Sequence, residues 1–285
     1  MRLACLRIAL FALLLAPAGA FARDAYFTTS DGVRLHLLEQ GDPARNTIVL
    51  VPGWTMPAWI FQPQLEAFSR SYHVVALDPR GQGDSEIAPS GYDHIRRGRD
   101  IAELVAALGN RPVLLVGWSL GVLDSLGYVA QFGDRQIAGL VLIDNSIGED
   151  PAPIIARGPR IPAPVLPREE KMRRFVRGMF RSNPGEAYLD RLTEDALRTP
   201  PEVAKELGSY PAPRTYWRDA VYSVVQPILY VVRPRFSAQA ANLAAKDPLA
   251  ETVTFPSAGH ALFVDEAERF NATLADFIRR RVWPR

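Results

Sequence analysis

Apolar residues recur along this chain in two interleaved patterns. Unbroken apolar runs occupy residues 47–51, 73–77, 113–116, 137–143 and 228–232, and runs of that length without alternation predict strands buried on both faces, as in a parallel sheet. Between them lie stretches with helical spacing at 60–69, 95–108 and 120–132; in the second, Ile101, Leu104, Val105 and Leu108 share one face. Near the start, Asp31-Gly32 joins 26–29 to 33–39 and predicts a hairpin, because Asp-Gly readily adopts the positive φ of a two-residue turn. After Asp144 the alternation stops. Pro151, Pro153, Pro159, Pro162, Pro164 and Pro167 forbid a regular element, and the helical stretches that follow, to about Val225, have no strand between them. In the first of these, Met172, Phe175, Val176, Met179 and Phe180 form one apolar stripe, as expected of a helix laid over a groove. The sheet resumes at Ile228, continues at 251–255 and is closed by an amphipathic helix at 264–280. The pattern predicts an α/β fold with a mostly parallel central sheet and helices on both faces. Its core would comprise 23–146 and 227–285, with 147–226 inserted as a helical cap.

Composition narrows the class. At 285 residues, 48% apolar and 22% charged, the chain can bury a large core and is not disordered. Lys and Arg number 33 against 31 Asp and Glu, so no nucleic-acid partner is expected. Residues 1–22 read as a secretory signal. Arg2 and Arg7 flank a short basic region, 8–16 is an apolar run too short to span a bilayer, and Ala18-Gly19-Ala20 or Ala20-Phe21-Ala22 offers small residues for cleavage. Export to the periplasm or medium is expected, with no membrane span in the mature chain. The only cysteine, Cys5, lies within that segment, which leaves the mature chain without a disulfide framework or a thiol nucleophile. The four histidines are dispersed, so neither a metal nor another cofactor is expected. The sequence does not reveal an oligomeric state.

The sharpest motif is Gly117-Trp118-Ser119-Leu120-Gly121, directly after one apolar run and directly before a helical stretch. A strand-to-helix turn this tight strains the serine, needs small neighbours, and presents Oγ above the sheet edge. The helix that begins there aims its N-terminal amides at charge developing beside Ser119. A serine alcohol needs a base. His36 and His73 belong to strands and read as structural, and His94 stands at a helix start, where it is expected to be solvated. His260 follows the last strand in the loop Pro256-Ser257-Ala258-Gly259-His260, at the C-terminal edge where open α/β sheets meet their ligands, and it is the candidate general base.

Together with Val51-Pro52-Gly53-Trp54 and Asp78-Pro79-Arg80-Gly81-Gln82-Gly83-Asp84-Ser85, these motifs resemble the α/β-hydrolase fold superfamily. Within it, the chain is similar to capped serine esterases and non-heme haloperoxidase-like hydrolases. The resemblance implies an oxyanion hole built from the backbone N–H groups of Trp54 and Leu120. The family usually has His where this chain has Pro52, but the N–H that Pro52 lacks is not one of those two donors. The segment 78–85 reads as a structural turn. Relatives most often carry the orienting acid after the strand matching 227–232, where this chain reads Arg233-Pro234-Arg235-Phe236-Ser237-Ala238 with no carboxylate before Asp247. Haloalkane dehalogenases place it one strand earlier, and by that resemblance Asp144 is the acid, with Glu149 and Asp150 as weaker seconds.

The resemblance implies a serine hydrolase that cleaves a small or medium carboxylic ester or lactone through an acyl-enzyme at Ser119. Its substrate would be a small molecule contacted by Trp54, Trp118, Met172, Phe175 and Met179. Perhydrolase, haloperoxidase-like and C–C bond hydrolase chemistry use the same residues, and a non-catalytic binding protein could keep the fold. Epoxide hydrolase and dehalogenase chemistry need a carboxylate nucleophile where Ser119 stands.

Overall fold

The computed structural model describes residues 22–153 and 166–284. The expected signal segment lies almost entirely outside the described residues, as do Pro159, Pro162 and Pro164. Eight strands form one sheet: β1 (Arg23–Thr28), β2 (Arg34–Gln40), β3 (Thr47–Val51), β4 (His73–Leu77), β5 (Val113–Trp118), β6 (Ile137–Ile143), β7 (Ile228–Val232) and β8 (Ala250–Thr254). Their order is β1-β2-β4-β3-β5-β6-β7-β8. The β1 and β2 hairpin pairs antiparallel and joins β4 antiparallel, while every other pairing is parallel.

The sheet is covered on both sides because successive residues of its central strands point to opposite faces. Val49, Leu115, Leu140 and Tyr230 enter one buried cluster; Ile48, Leu114, Val141 and Leu229 enter the other. The first face is covered by α2 (His94–Ala107), α3 (Leu120–Phe132) and α8 (Ser237–Lys246), the second by α1 (Gln62–Phe68), α9 (Leu262–Asp265) and α10 (Ala267–Phe277). Two elements differ from expectation. The stretch 237–246 is a helix, although its many alanines carry little periodicity, and the closing helix is interrupted at Glu266, whose backbone (φ −123°, ψ 52°) is not helical.

Between β6 and β7 come α4 (Arg168–Gly178), α5 (Glu186–Arg198), α6 (Pro201–Leu207) and α7 (Arg214–Tyr222), with no strand among the described residues. They share no separate core. Met172, Val176, Leu189 and Leu192 of α4 and α5 extend one sheet-face cluster, while Val203, Leu207, Trp217 and Val221 of α6 and α7 extend the other. The insertion thus straddles the C-terminal edge of the sheet and is held from both sides.

Candidate active site

Ser119 stands between β5 and α3 with φ 54° and ψ −118°, a region that L-residues other than Gly rarely adopt. The glycines on either side make this possible through close approach. A Cβ on Gly121 would lie 2.3 Å from the Val51 carbonyl oxygen, and one on Gly117 would lie 2.3 Å from that of Gly121. The turn is held by the Ser119 amide donating to Ile143 O (2.9 Å) and by Asn145 Nδ2 donating to Ser119 O (2.7 Å). Sequence reasoning missed Asn145, which has no motif of its own.

Ser119 Oγ lies 2.8 Å from His260 Nε2, and His260 Nδ1 lies 2.7 Å from Asp144 Oδ2. Because the carboxylate only accepts, the imidazole carries its proton on Nδ1, and Nε2 is left to accept from the serine hydroxyl. Asp144 is buried at the end of β6, itself at φ 50°. The Arg233 amide donates to its Oδ1 (2.9 Å) and Arg233 Nε to its Oδ2 (2.6 Å). Burial alone would raise the Asp144 pKa, but the hydrogen bonds and charges of His260 and Arg233 outweigh it and hold the carboxyl below its ordinary value. Glu149, one of the weaker seconds, accepts instead from Tyr222 and Lys246; Asp150 is exposed beside Arg214.

Trp54 and Leu120 line, with Ser119, a second cavity beside the serine. A Cβ on Gly53 would lie 2.9 Å from Ser119 Cβ, so this loop runs against the serine. Neither amide has an acceptor among the described residues. The Trp54 indole donates to Ala204 O on α6 (2.7 Å) and meets Phe175 of α4 edge to face, with ring centroids 5.0 Å apart. Trp54 thereby couples the sheet edge to two inserted helices.

The expected substrate residues divide. Phe175 and Met179 line a cavity of about 410 Å³ that also exposes Ser119, His260 and Asp144. Met172 lines an adjoining cavity with Trp54 and Phe175. Trp118 does not reach substrate space. It is fully buried, donates through Nε1 to His260 O (2.9 Å) and packs on the His260 and Phe263 rings, because alternation along β5 turns it under the sheet edge while Ser119 rises above it. Of the stripe, Val176 belongs to the buried core and Phe180 packs on Tyr188.

The His260 loop is clamped by a residue absent from the sequence reading. Asp265 accepts from the amides of Gly259 (2.6 Å), Arg181 (2.8 Å) and Ser182 (3.1 Å), and the Ala261 amide donates to Met179 O (3.0 Å). The end of α4 and the candidate base are therefore fastened to each other.

The remaining histidines, His36, His73 and His94, are all buried. His36 is buried between Asp78 (2.7 Å) and Asp24 (3.0 Å). Asp78 also accepts from the amides of Ala58 and Asp84, which makes 78–85 a turn organised around one carboxylate. His94 is not solvated, as its place at a helix start suggested. It is buried among the rings of Tyr210, Tyr216 and Trp217, and that burial lowers its pKa.

A parallel sheet with this serine turn on its central strand is the frame of the α/β hydrolases, and the sequence profile of the Alpha/beta hydrolase family matches residues 48–273. The chain belongs to that family. It is 34% identical over 119 residues to a non-heme haloperoxidase of Rhodococcus erythropolis, spanning 41% of this chain and less than half (43%) of that relative. A pimeloyl-[acyl-carrier protein] methyl ester esterase of Xanthomonas axonopodis pv. citri is 27% identical over 254 residues, 81% of this chain and 94% of the relative. Among solved structures, a Burkholderia cenocepacia protein provisionally designated an aryl esterase aligns with a TM-score of 0.78 at 27% identity, covering 90% of this chain and 98% of that one.

Proposed function

We propose that this protein is a serine carboxylic ester hydrolase. The observation that carries the reading is the continuous hydrogen-bond chain from Ser119 Oγ through His260 to Asp144, opening on a cavity beside two unpartnered amides. His260 Nε2 takes the hydroxyl proton as Ser119 Oγ attacks the ester carbonyl. Asp144 stabilises the imidazolium that results, and the amides of Trp54 and Leu120 hold the oxyanion. His260 then returns the proton to the departing alkoxide, and a water activated by the same nitrogen releases the acyl group as its acid. Trp54 and the α4 face bearing Phe175 and Met179 would set which esters enter.

The test is hydrolysis of phenyl acetate and labelling by a fluorophosphonate probe, which needs an activated serine. Both should be abolished in Ser119→Ala and severely reduced in His260→Ala. Substantial turnover in Ser119→Ala would refute the mechanism. Absence of labelling in the unaltered protein would favour a binding protein that has kept the fold. Hydrogen peroxide in place of water as acyl acceptor would yield a peracid by the same steps, so the product mixture with peroxide separates hydrolase from perhydrolase.

A further inference from the structure

Ser119 opens on two chambers of different chemistry. One, of about 410 Å³, holds His260 and is lined by Arg174, Arg233 and Arg235. The other, of about 230 Å³, holds Leu120 and Trp54 and is lined by Leu123, Leu207 and Tyr210, with no charged side chain among the described residues. The Tyr210 hydroxyl is already committed to Asp124 (2.6 Å).

The chamber that each half of an ester must occupy follows from the proton transfer. In the tetrahedral intermediate one oxygen faces the amides of Trp54 and Leu120, and the leaving oxygen must face His260 Nε2 to be protonated. The alcohol half therefore extends into the arginine-lined chamber, and the acyl half into the smaller apolar one. Among the described residues the only carboxylate lining the larger chamber, Asp144, is engaged by His260 and by Arg233. Arg174 is paired with Glu170 (2.7 Å) at the rim. Arg235 has no hydrogen bond or ion pair among the described residues; its guanidinium lies 5.3 Å from the Phe236 ring centroid. Arg235 is exposed at this polar recess, and a guanidinium fork free of protein partners can bind an oxyanion bidentately.

Resting on the esterase reading above, we propose that the preferred substrates are short-chain esters whose alcohol half carries a carboxylate or phosphate, bound by Arg235 with Arg233 and Arg174 beside it. Ser119 Oγ bonds to the acyl carbon as the carbon to alcohol-oxygen bond breaks. The serine proton passes through His260 to that oxygen, and an anionic hydroxy compound leaves. Water then frees the short acid.

The test compares kcat/KM for matched phenyl esters: 4-acetoxybenzoate against neutral 4-acetoxybenzamide, 4-acetoxyphenyl phosphate as the phosphate arm, and monophenyl glutarate, in which the acyl half carries the charge. The carboxylate or the phosphate arm should exceed the amide by about tenfold, the discrimination expected of one charge-assisted contact at a partly exposed site, and whichever is larger identifies the anion. Arg235→Gln should collapse that ratio, Arg235→Lys should restore part of it, and added salt should lower it. Equal rates for the anionic and neutral acetates, a ratio untouched by Arg235→Gln, or a preference for monophenyl glutarate would overturn the proposal and leave the esterase reading standing. Failure to hydrolyse any of these esters, with no fluorophosphonate labelling, would overturn both.

Discussion

Arg233 acts on the same carboxylate oxygen as His260. Its Nε donates to Asp144 Oδ2 at 2.6 Å while His260 Nδ1 donates to that oxygen at 2.7 Å, and Arg233 Nη2 lies 3.4 Å from His260 Nδ1. The last pair joins two donors, so it is proximity of a cation to the imidazole and not a hydrogen bond. Arg233→Met keeps the unbranched stem of the side chain as far as the Nε position and the backbone amide that anchors Oδ1, and removes the guanidinium and its charge. Without it the Asp144 carboxyl loses one of the influences holding it below its ordinary value, and becomes easier to protonate. The acidic limb of kcat/KM should therefore move to higher pH, with activity lost earlier as the pH falls. Unit charges about 4 Å apart interact by about 4 kcal/mol at an effective dielectric of 20 and about 1 kcal/mol in water. The Arg233 side chain is 28% exposed and borders an open cavity, so the lower part of that range applies, about 1–2 kcal/mol or about one pH unit. Loss of a charge-assisted hydrogen bond costs about 1.5–3 kcal/mol; because His260 and the Arg233 amide still hold Asp144, the plateau should fall only about tenfold. Arg233→Lys keeps a cation but not the Nε donor, so it should lower the plateau and leave the limb in place. The assay is pH-stat hydrolysis of neutral phenyl acetate, which avoids any effect of an anionic substrate. An acidic limb unmoved in Arg233→Met, or moved to lower pH, would refute the coupling.

Asp144→Asn preserves shape but presents the wrong partner to Nδ1, and should lower turnover by about 10³ to 10⁴ with the melting temperature nearly unchanged; near-normal turnover would leave Ser119 and His260 acting as a dyad. Asp265→Ala removes the acceptor shared by Gly259, Arg181 and Ser182 and should cost about 1–2 kcal/mol of stability in chemical denaturation, since water can reach the freed amides. It should lower kcat as well, and an unaffected kcat would mean that the His260 loop is positioned without the clamp. Export should remove the amino-terminal segment, so intact mass of the exported protein should correspond to a start at Phe21 or Arg23; recovery of the full-length chain from the cytoplasm alone would contradict it.

The frame of the fold was legible because its strands are pure apolar runs and its turns carry Asp-Gly or Gly-rich signals. Seven of the eight strands fall within a residue or two of the stretches the pattern marked, β1 starts at Arg23 and so three residues before the expected 26–29, and α3 spans the stretch 120–132. What escaped was set through space. His94 looks like a helix-start residue in sequence, yet its surroundings come from α7 and from Tyr210, over a hundred residues away. Trp118 adjoins the serine in sequence, but strand alternation turns it beneath the sheet edge. The region after β7 showed only that a carboxylate was missing; that Arg233 turns back to Asp144 depends on β6 and β7 being neighbours. Asp265 and Asn145 act chiefly on backbone atoms, which leaves no pattern in side chains.

The placement of the candidate acid at the end of β6 has a structural consequence of its own. β6 pairs directly with β5, with Trp118 opposite Ile143, so Asp144 and Ser119 extend from adjacent strand ends, tied by the Ser119 amide to Ile143 O and by Asn145 to Ser119 O. β7 supplies the means of holding Asp144: the Asp144 amide donates to Val231 O, and the Arg233 amide and Nε donate to its carboxylate. The residue after β7 thus lies within reach of the same point in space. Moving the carboxylate there, by combining Asp144→Asn with Arg233→Asp, removes a cation and supplies an acceptor on the Nδ1 side of the imidazole. The double variant should recover about tenfold or more of the turnover lost in Asp144→Asn, because restoring the Nδ1 acceptor restores the productive tautomer even where its orientation is imperfect. Arg233→Asp alone should be poorly active, since two carboxylates would then crowd one site and favour a bound proton between them. Phenyl acetate turnover of the single and double variants decides the matter. A double variant no better than Asp144→Asn would mean that Asp144 contributes through the geometry of the β6 end, and not simply as a carboxylate beside His260.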